Sequence, residues 1–287
     1  MSDSTFNNVK EKTHVFSKDR SAFSLNLNEV WAYRDLLYLL VRRDFVAVYK
    51  QTVLGPLWFF IQPIFTSLIF TVIFGRLAQI STDGVPPMLF YLAGTTLWNY
   101  FKDSILKTST TFRDNQHIFG KVYFPRLVSP ISVVISNLLK FTIQFLLFLM
   151  FYFYFISIGT NIQPQWQIFL VPLLVIMISG LGLGLGIIVT SLTTKYRDLS
   201  FLLEFGIQLF MYATPVIYPL STIPEKYRTF AVLNPMTSII ETFKVGFLGA
   251  GTFNWWHLGY SFVFMTIILF LGIIVFNKTE KNFMDTV

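Results

Sequence analysis

Cysteine is absent from this 287-residue chain. That excludes disulfides, cysteine metal sites and a thiol nucleophile. Charge is scarce: Asp, Glu, Lys and Arg make up 13% of the residues, against about 25% in an ordinary soluble domain. No G-x-x-x-x-G-K-[ST] stretch occurs, so there is no Walker-type nucleotide cradle. His14, His117 and His257 are far apart and match no metal-binding spacing. A G-x-S-x-G nucleophile elbow is missing as well.

What the chain has in excess is apolar surface. Hydrophobic residues reach 54%, aromatics 18%, and Phe alone numbers 33. Mean hydropathy is +0.59. A soluble fold of this size cannot hide that much, because much of any folded surface must face water. The apolar runs are long and unbroken, which fits membrane helices rather than the short alternating segments of an outer-membrane barrel. The expected fold is therefore an all-α integral membrane protein.

A helix needs roughly 20 apolar residues to cross the hydrocarbon core. Six spans are predicted, over about 56–75, 88–106, 128–158, 168–192, 199–217 and 257–276. The first apolar run begins about 50 residues in and has the length of a span rather than of a signal core. Residues 1–27 are polar and read as a mobile cytoplasmic N-terminus, and 278–287 as a cytoplasmic tail. In 28–51, Val30, Tyr33, Leu37, Leu40, Val41 and Val48 recur at helical spacing, with Arg34, Asp35, Arg42 and Arg43 largely on other faces. That pattern predicts an amphipathic helix lying in the membrane interface. Segment 218–256 joins spans 5 and 6 but is too apolar for a plain loop. Its prolines suggest short re-entrant helices, tolerated only where protein or a water-filled cavity covers them.

Six spans put both termini on one side. Seventeen Lys and Arg residues then fall on the face of the termini, and four (Arg76, Lys226, Arg228, Lys244) on the other, with Lys140 inside the membrane. The asymmetry makes the terminal face cytoplasmic. It also accounts for the net charge of +7 without nucleic acid.

Within the spans, Gly180, Gly182, Gly184 and Gly186 form two overlapping G-x-x-x-G pairs, which let helices approach closely. Lys140, Glu204, Glu241 and Lys244 lie at or near membrane depth and are functional candidates by default. Lys140 and Glu204 can equally be a structural pair between helices, or snorkel to an interface. Many aromatics suit interfacial belts, among them Trp255, Trp256 and much of the run 151–155. Rings lining a conduit would instead stack weakly on sugar C–H faces, as passage of a long glycan requires. The candidates for that role are Trp58, Phe59, Tyr91, Trp98, Tyr100, Phe101, Tyr212 and Tyr218.

Several stretches occur together in a telling order. They are Arg42-Arg-Asp-Phe45, Tyr49-Lys-Gln-Thr-Val-Leu-Gly-Pro-Leu-Trp58, Gln62-Pro63, Phe70-Thr-Val-Ile-Phe-Gly-Arg-Leu-Ala78 and Asp83-Gly-Val-Pro86. Further along come Lys121-Val-Tyr-Phe-Pro-Arg126, Tyr196-Arg-Asp198, Thr214-Pro-Val-Ile-Tyr-Pro219, Pro224-Glu-Lys-Tyr-Arg228 and Leu233-Asn-Pro235. Over about 28–287 the chain resembles the permease subunit of type-2 ATP-binding-cassette polysaccharide exporters. Such permeases move O-antigen, capsule or teichoic acid chains.

The resemblance implies a homodimer of six-helix subunits in the bacterial inner membrane, above a separate dimer of ATPase subunits that binds ATP and Mg. It implies no cofactor on this chain and no enzymatic activity of its own. The expected cargo is a polyprenyl-linked glycan, O-antigen first. Asp44, Tyr49 and Lys50, then Lys121, Tyr123 and Arg126, then Tyr196 and Arg197 match the family's cytoplasmic patterns. With Arg42, Arg43 and Arg113 they are the candidates for ATPase coupling, although topogenic charge is the simpler role for each. Arg42, Arg43 and Lys50 at the inner mouth can also attract a lipid pyrophosphate. An ion-coupled transporter would show clustered midplane charges and repeated halves, and a membrane glycosyltransferase a tight acidic or His cluster. Neither pattern is evident. A drug or lipid permease of the same superfamily differs only in cargo.

Overall fold

The computed structural model describes residues 27–50, 53–119, 124–193, 196 and 198–284. They are helical, with no strand among them. The N-terminal segment expected to be mobile lies outside the described residues up to 26.

The chain opens with α1 (Leu27–Ala32) and α2 (Arg34–Lys50). The interface helix is thus a pair with a break at Tyr33. A 3₁₀ turn over Gly55–Leu57 leads into α3 (Trp58–Phe70), which continues as a π-helical stretch over Thr71–Leu77. Phe59, Pro63 and Ser67 are buried, spaced four apart on one face of α3. Trp58, Phe60, Phe65, Leu68 and Ile69 on its other faces are exposed.

The pivot of the bundle is α4 (Pro87–Ser109), with 16 of its 23 residues buried. Pro87 at the first turn fits a helix start, where its missing N–H costs nothing. Two short helices follow, α5 (Thr111–Asp114) and α6 (Gln116–Phe119). Then come α7 (Val128–Ser157), a 3₁₀ turn (Trp166–Leu170) and α8 (Val171–Thr193).

Packing of α8 between α4 and α12 (Trp255–Met284) rests on the four glycines. Gly182 and Gly186 face α4: a Cβ on them would lie 2.6 Å from Ser104 Cβ and 2.5 Å from Thr108 Cβ. Gly180 and Gly184 face α12, where a Cβ would meet Met265 Sδ at 2.5 Å and Leu269 Cα at 2.9 Å. Each pair repeats at i, i+4, so one helix presents two glycine faces to two neighbours. With the backbones this close, Thr190 donates its hydroxyl to the Thr108 carbonyl, and Thr193 Oγ1 to Ser109 O at 2.6 Å.

Among the described residues, four stretches are long and apolar enough to cross a membrane: Gly55–Leu77, Val128–Ser157, Trp166–Thr193 and Trp255–Thr279. The other two expected spans correspond to α4, which carries Lys102, Asp103 and Lys107 toward its C-terminal end, and to α9 (Leu199–Tyr212), only 14 residues long. α9 stops well before Ile217 because Pro215 disfavours helical backbone at the residue before it and supplies no N–H. At the other end of the chain α12 extends further than expected on both sides. Asn254 caps its start by accepting from Trp256 N at 2.8 Å, and the helix continues through the tail region to Met284.

Segment 218–256 holds a 3₁₀ turn (Leu220–Thr222) and two short helices, α10 (Glu225–Leu233) and α11 (Pro235–Leu248). All 14 residues of α11 are buried. Asn234 caps it by accepting from Met236 N at 3.0 Å, and Gly249, at φ +69°, closes it in the left-handed conformation. Phe243 and Phe247 pack into Phe145, Phe148 and Tyr152 of α7, with ring centroids 5.2–6.1 Å apart. Part of the aromatic run is therefore internal: Tyr152 is buried, while Phe153 and Tyr154 are exposed as a lipid-facing role requires.

Candidate functional site

Two elements far apart in sequence are brought together. Leu40 of α2, Phe124 and Val128 form a buried cluster, with Leu36, Leu37, Ile118 and Phe119 packed against it. The arginine at position 43 fixes the register. Its Nε donates to Asp44 Oδ1 at 2.9 Å, and its Nη1 donates to Asn115 Oδ1 at 3.1 Å, 72 residues away. Asn115 is itself buried and donates Nδ2 to Thr111 O at 3.0 Å. One arginine therefore ties α2 to the α5–α6 turn.

The block continues into the bundle. Phe112 of α5 stacks on Phe276 of α12, with centroids 4.8 Å apart and planes within 13°. The buried Arg126 guanidinium lies 5.4 Å from the Phe119 ring centre. Phe45 of α2 stacks with Phe59 of α3 at 6.2 Å. A push on α2 or α5 thus reaches α3, α7 and α12 through packed contacts. Arg42, Lys50, Arg113 and Tyr196 are exposed on this side of the bundle. Arg113 lies 3.4 Å from Asp114. Lys121, Tyr123 and Arg197, and the side chain of Tyr49, lie outside the described residues. Asn115 was not singled out by sequence reasoning, since nothing local marks a partner so distant.

The aromatic conduit candidates divide. Tyr91, Trp98, Tyr100 and Phe101 are buried within the protomer, each at most 3% exposed. Trp98 packs on Phe101 and on Phe210 of α9, and Tyr100 Oη sits 2.6 Å from Ser179 Oγ. These four build the core around α4 within the single chain. Phe59 is buried as well. Trp58 and Tyr212 are about half exposed, and Tyr218, partly buried, donates its hydroxyl to Tyr212 O at 3.0 Å.

The ionisable groups also separate. Lys140 Nζ meets Asp103 Oδ2 at 2.5 Å, and Lys107 Nζ donates to Asn137 Oδ1 at 3.1 Å, so a polar seam runs between α4 and α7. The suggested pairing of Lys140 with Glu204 is not formed. Asp103 is on the neighbouring helix, and Glu204 lies exposed on α9 beside Phe201 and Phe205. Lys244 is fully buried, donates to Pro215 O at 2.7 Å, and places Nζ 3.6 Å from the Phe90 ring centre. It anchors the turn after α9 to α11 and α4.

The family model for the ABC-2 type transporter matches residues 35–248, and the chain belongs to that family. Among its relatives is an O-antigen export system permease protein of Myxococcus xanthus, 31% identical over 223 residues, covering 77% of this chain and 83% of the relative. Two permeases of the same name from Klebsiella pneumoniae are 28% identical over 253 residues, covering 88% of this chain and 94% of theirs.

Proposed function

We propose that the chain is the permease subunit of an ABC exporter for a lipid-linked polysaccharide, O-antigen first. In this reading it acts as a homodimer in the bacterial inner membrane. A separate ATPase dimer binds ATP and Mg and does the hydrolysis. Both termini are cytoplasmic, α4 and α9 complete six spans, and α10–α11 form a re-entrant hairpin at the outer face.

The observation that carries the reading is the cytoplasmic block: α2 held to α5 by Arg43 and Asn115, and α5 held to α12 by stacked Phe112 and Phe276. Packed interfaces switch between discrete arrangements rather than deform continuously. Closure of an ATPase dimer against Arg42, Lys50, Arg113 and Tyr196 would move this block as a unit. Among the six proposed spans, α3 and α9 have the fewest buried residues and are the ones freest to shift. The surfaces that remain for a glycan are those of Trp58, Tyr212 and Tyr218. Sequence similarity to permeases named for O-antigen export, over nearly their whole length, supports the cargo.

The test is reconstitution. Proteoliposomes holding the permease and its ATPase partner should export a polyprenyl-linked glycan only when both subunits and ATP are present. Because the chain has no cysteine, single cysteines placed at each end report sidedness cleanly. Transport by the permease alone, or labelling of the two ends from opposite faces, would overturn the reading.

A further inference from the structure

Three lysines converge on one carboxylate in the seam between α4 and α7. Asp103 Oδ2 meets Lys140 Nζ at 2.5 Å, and its Oδ1 lies 4.0 Å from Lys102 Nζ. Lys107, one turn further along α4, is within electrostatic reach of both Asp103 and Lys140. A second carboxylate, Asp44 on α2, is also in reach of Lys107, but Arg43 holds it at 2.8 Å. Lys102, Lys107, Lys140 and Arg43 thus face Asp103 and Asp44, which leaves a surplus of two positive charges. Neutral groups do not make up the difference. A lysine can only donate, so the carbonyl oxygen of buried Asn137 is spent on Lys107, and Asn137 Nδ2 has no partner among the described residues.

Depth decides what meets this surplus. From Lys140, α7 runs on to Ser157, and from Asp103, α4 runs back to Pro87, about 25 Å in each case at about 1.5 Å per residue. That approaches the roughly 30 Å of a hydrocarbon core, so the ammonium groups stand near the headgroups of one leaflet. Lys107 is exposed there, and the Lys102 side chain is 29% exposed. Phosphates are the abundant anions at that level. Basic pockets between membrane helices take anionic headgroups for this reason, and a phosphate oxygen accepts from an ammonium in a strong, charge-assisted bond.

We infer that the α4–α7 seam is a binding site for the phosphate of an anionic membrane lipid, with Lys102 and Lys107 as its principal contacts and Lys140 held ready by Asp103. Only the choice of leaflet rests on the topology proposed above. The lipid is either a glycerophospholipid of the bilayer or a polyprenyl phosphate, and the two arms of the test tell them apart.

The full-length permease is placed in phosphatidylcholine nanodiscs, alone or doped with phosphatidylglycerol or with polyprenyl phosphate, and thermal unfolding is followed. One dopant or both should raise the midpoint by several degrees, saturably, and the one that acts identifies the source. Inorganic phosphate added to the undoped discs should not. Lys102→Gln with Lys107→Gln leaves the Lys140–Asp103 pair intact and should at least halve the increment, whereas Lys278→Gln, on the tail end of α12, should keep it. Should the double variant fail to fold, Lys107→Gln alone should raise the half-saturating lipid fraction several-fold. No increment from either lipid would overturn the inference, leaving the lysines merely reaching for water. So would an equal increment from inorganic phosphate, an increment lost equally in Lys278→Gln, or lysine variants that titrate like the wild type.

Discussion

Substituting Gly184 by alanine tests the architecture most directly. Its new Cβ would lie 2.9 Å from both Leu269 Cα and Leu269 N, and 3.0 Å from Ile268 C. These are backbone atoms of α12 and cannot rotate aside. Restoring a 3.4 Å contact requires α8 and α12 to part by about 0.5 Å along the seam. Overpacking of this kind costs about 1–3 kcal/mol. At roughly 2–4 °C per kcal/mol for a chain of this size, a loss near 2 kcal/mol lowers the unfolding midpoint by about 4–8 °C. Gly180→Ala meets only the flexible Met265 side chain, at 2.5 Å, and should cost less. Gly206→Ala has no atom within 4 Å and should be neutral or slightly stabilising, because alanine is the better helix former. Differential scanning fluorimetry of the three variants in one detergent gives the ranking. Equal midpoints for Gly184→Ala and Gly206→Ala would refute the reasoning that glycine faces set the α8–α12 distance.

Two further outcomes follow from the polar contacts. Asp103→Asn alone should destabilise by about 2–4 kcal/mol, since it leaves the mostly buried Lys140 charge without its partner, and Lys140→Met should cost less, because Lys102 Nζ stays 4.0 Å from Asp103 Oδ1. The double variant should cost less than the sum, a coupling that thermal unfolding measures. Asn115→Ala removes the acceptor for Arg43, with about 1 kcal/mol of direct effect. In the reconstituted complex it should reduce glycan export several-fold while ATP hydrolysis persists. Parallel loss of both would assign Asn115 to assembly instead.

Membrane residence and the regions of the principal helices follow from composition and run length, because apolar residues in runs of about 20 have no other stable home. The i, i+4 glycines in α8 likewise announced close packing, since their spacing is a property of the helix itself. What the sequence left open were partners across space. It did not say that two glycines meet α4 and two meet α12, because period alone does not orient a helix among its neighbours. It left Lys140 between Glu204 and other fates, and the fold decided for Asp103 by laying α4 against α7. It offered Tyr91, Trp98, Tyr100 and Phe101 as conduit rings, yet aromatic residues look the same in sequence whether they face a core, lipid or a passage. The Arg43–Asn115 bond and the contact of Lys244 with the Pro215 carbonyl arise only when separate segments close on each other, and that closure is what tertiary packing supplies.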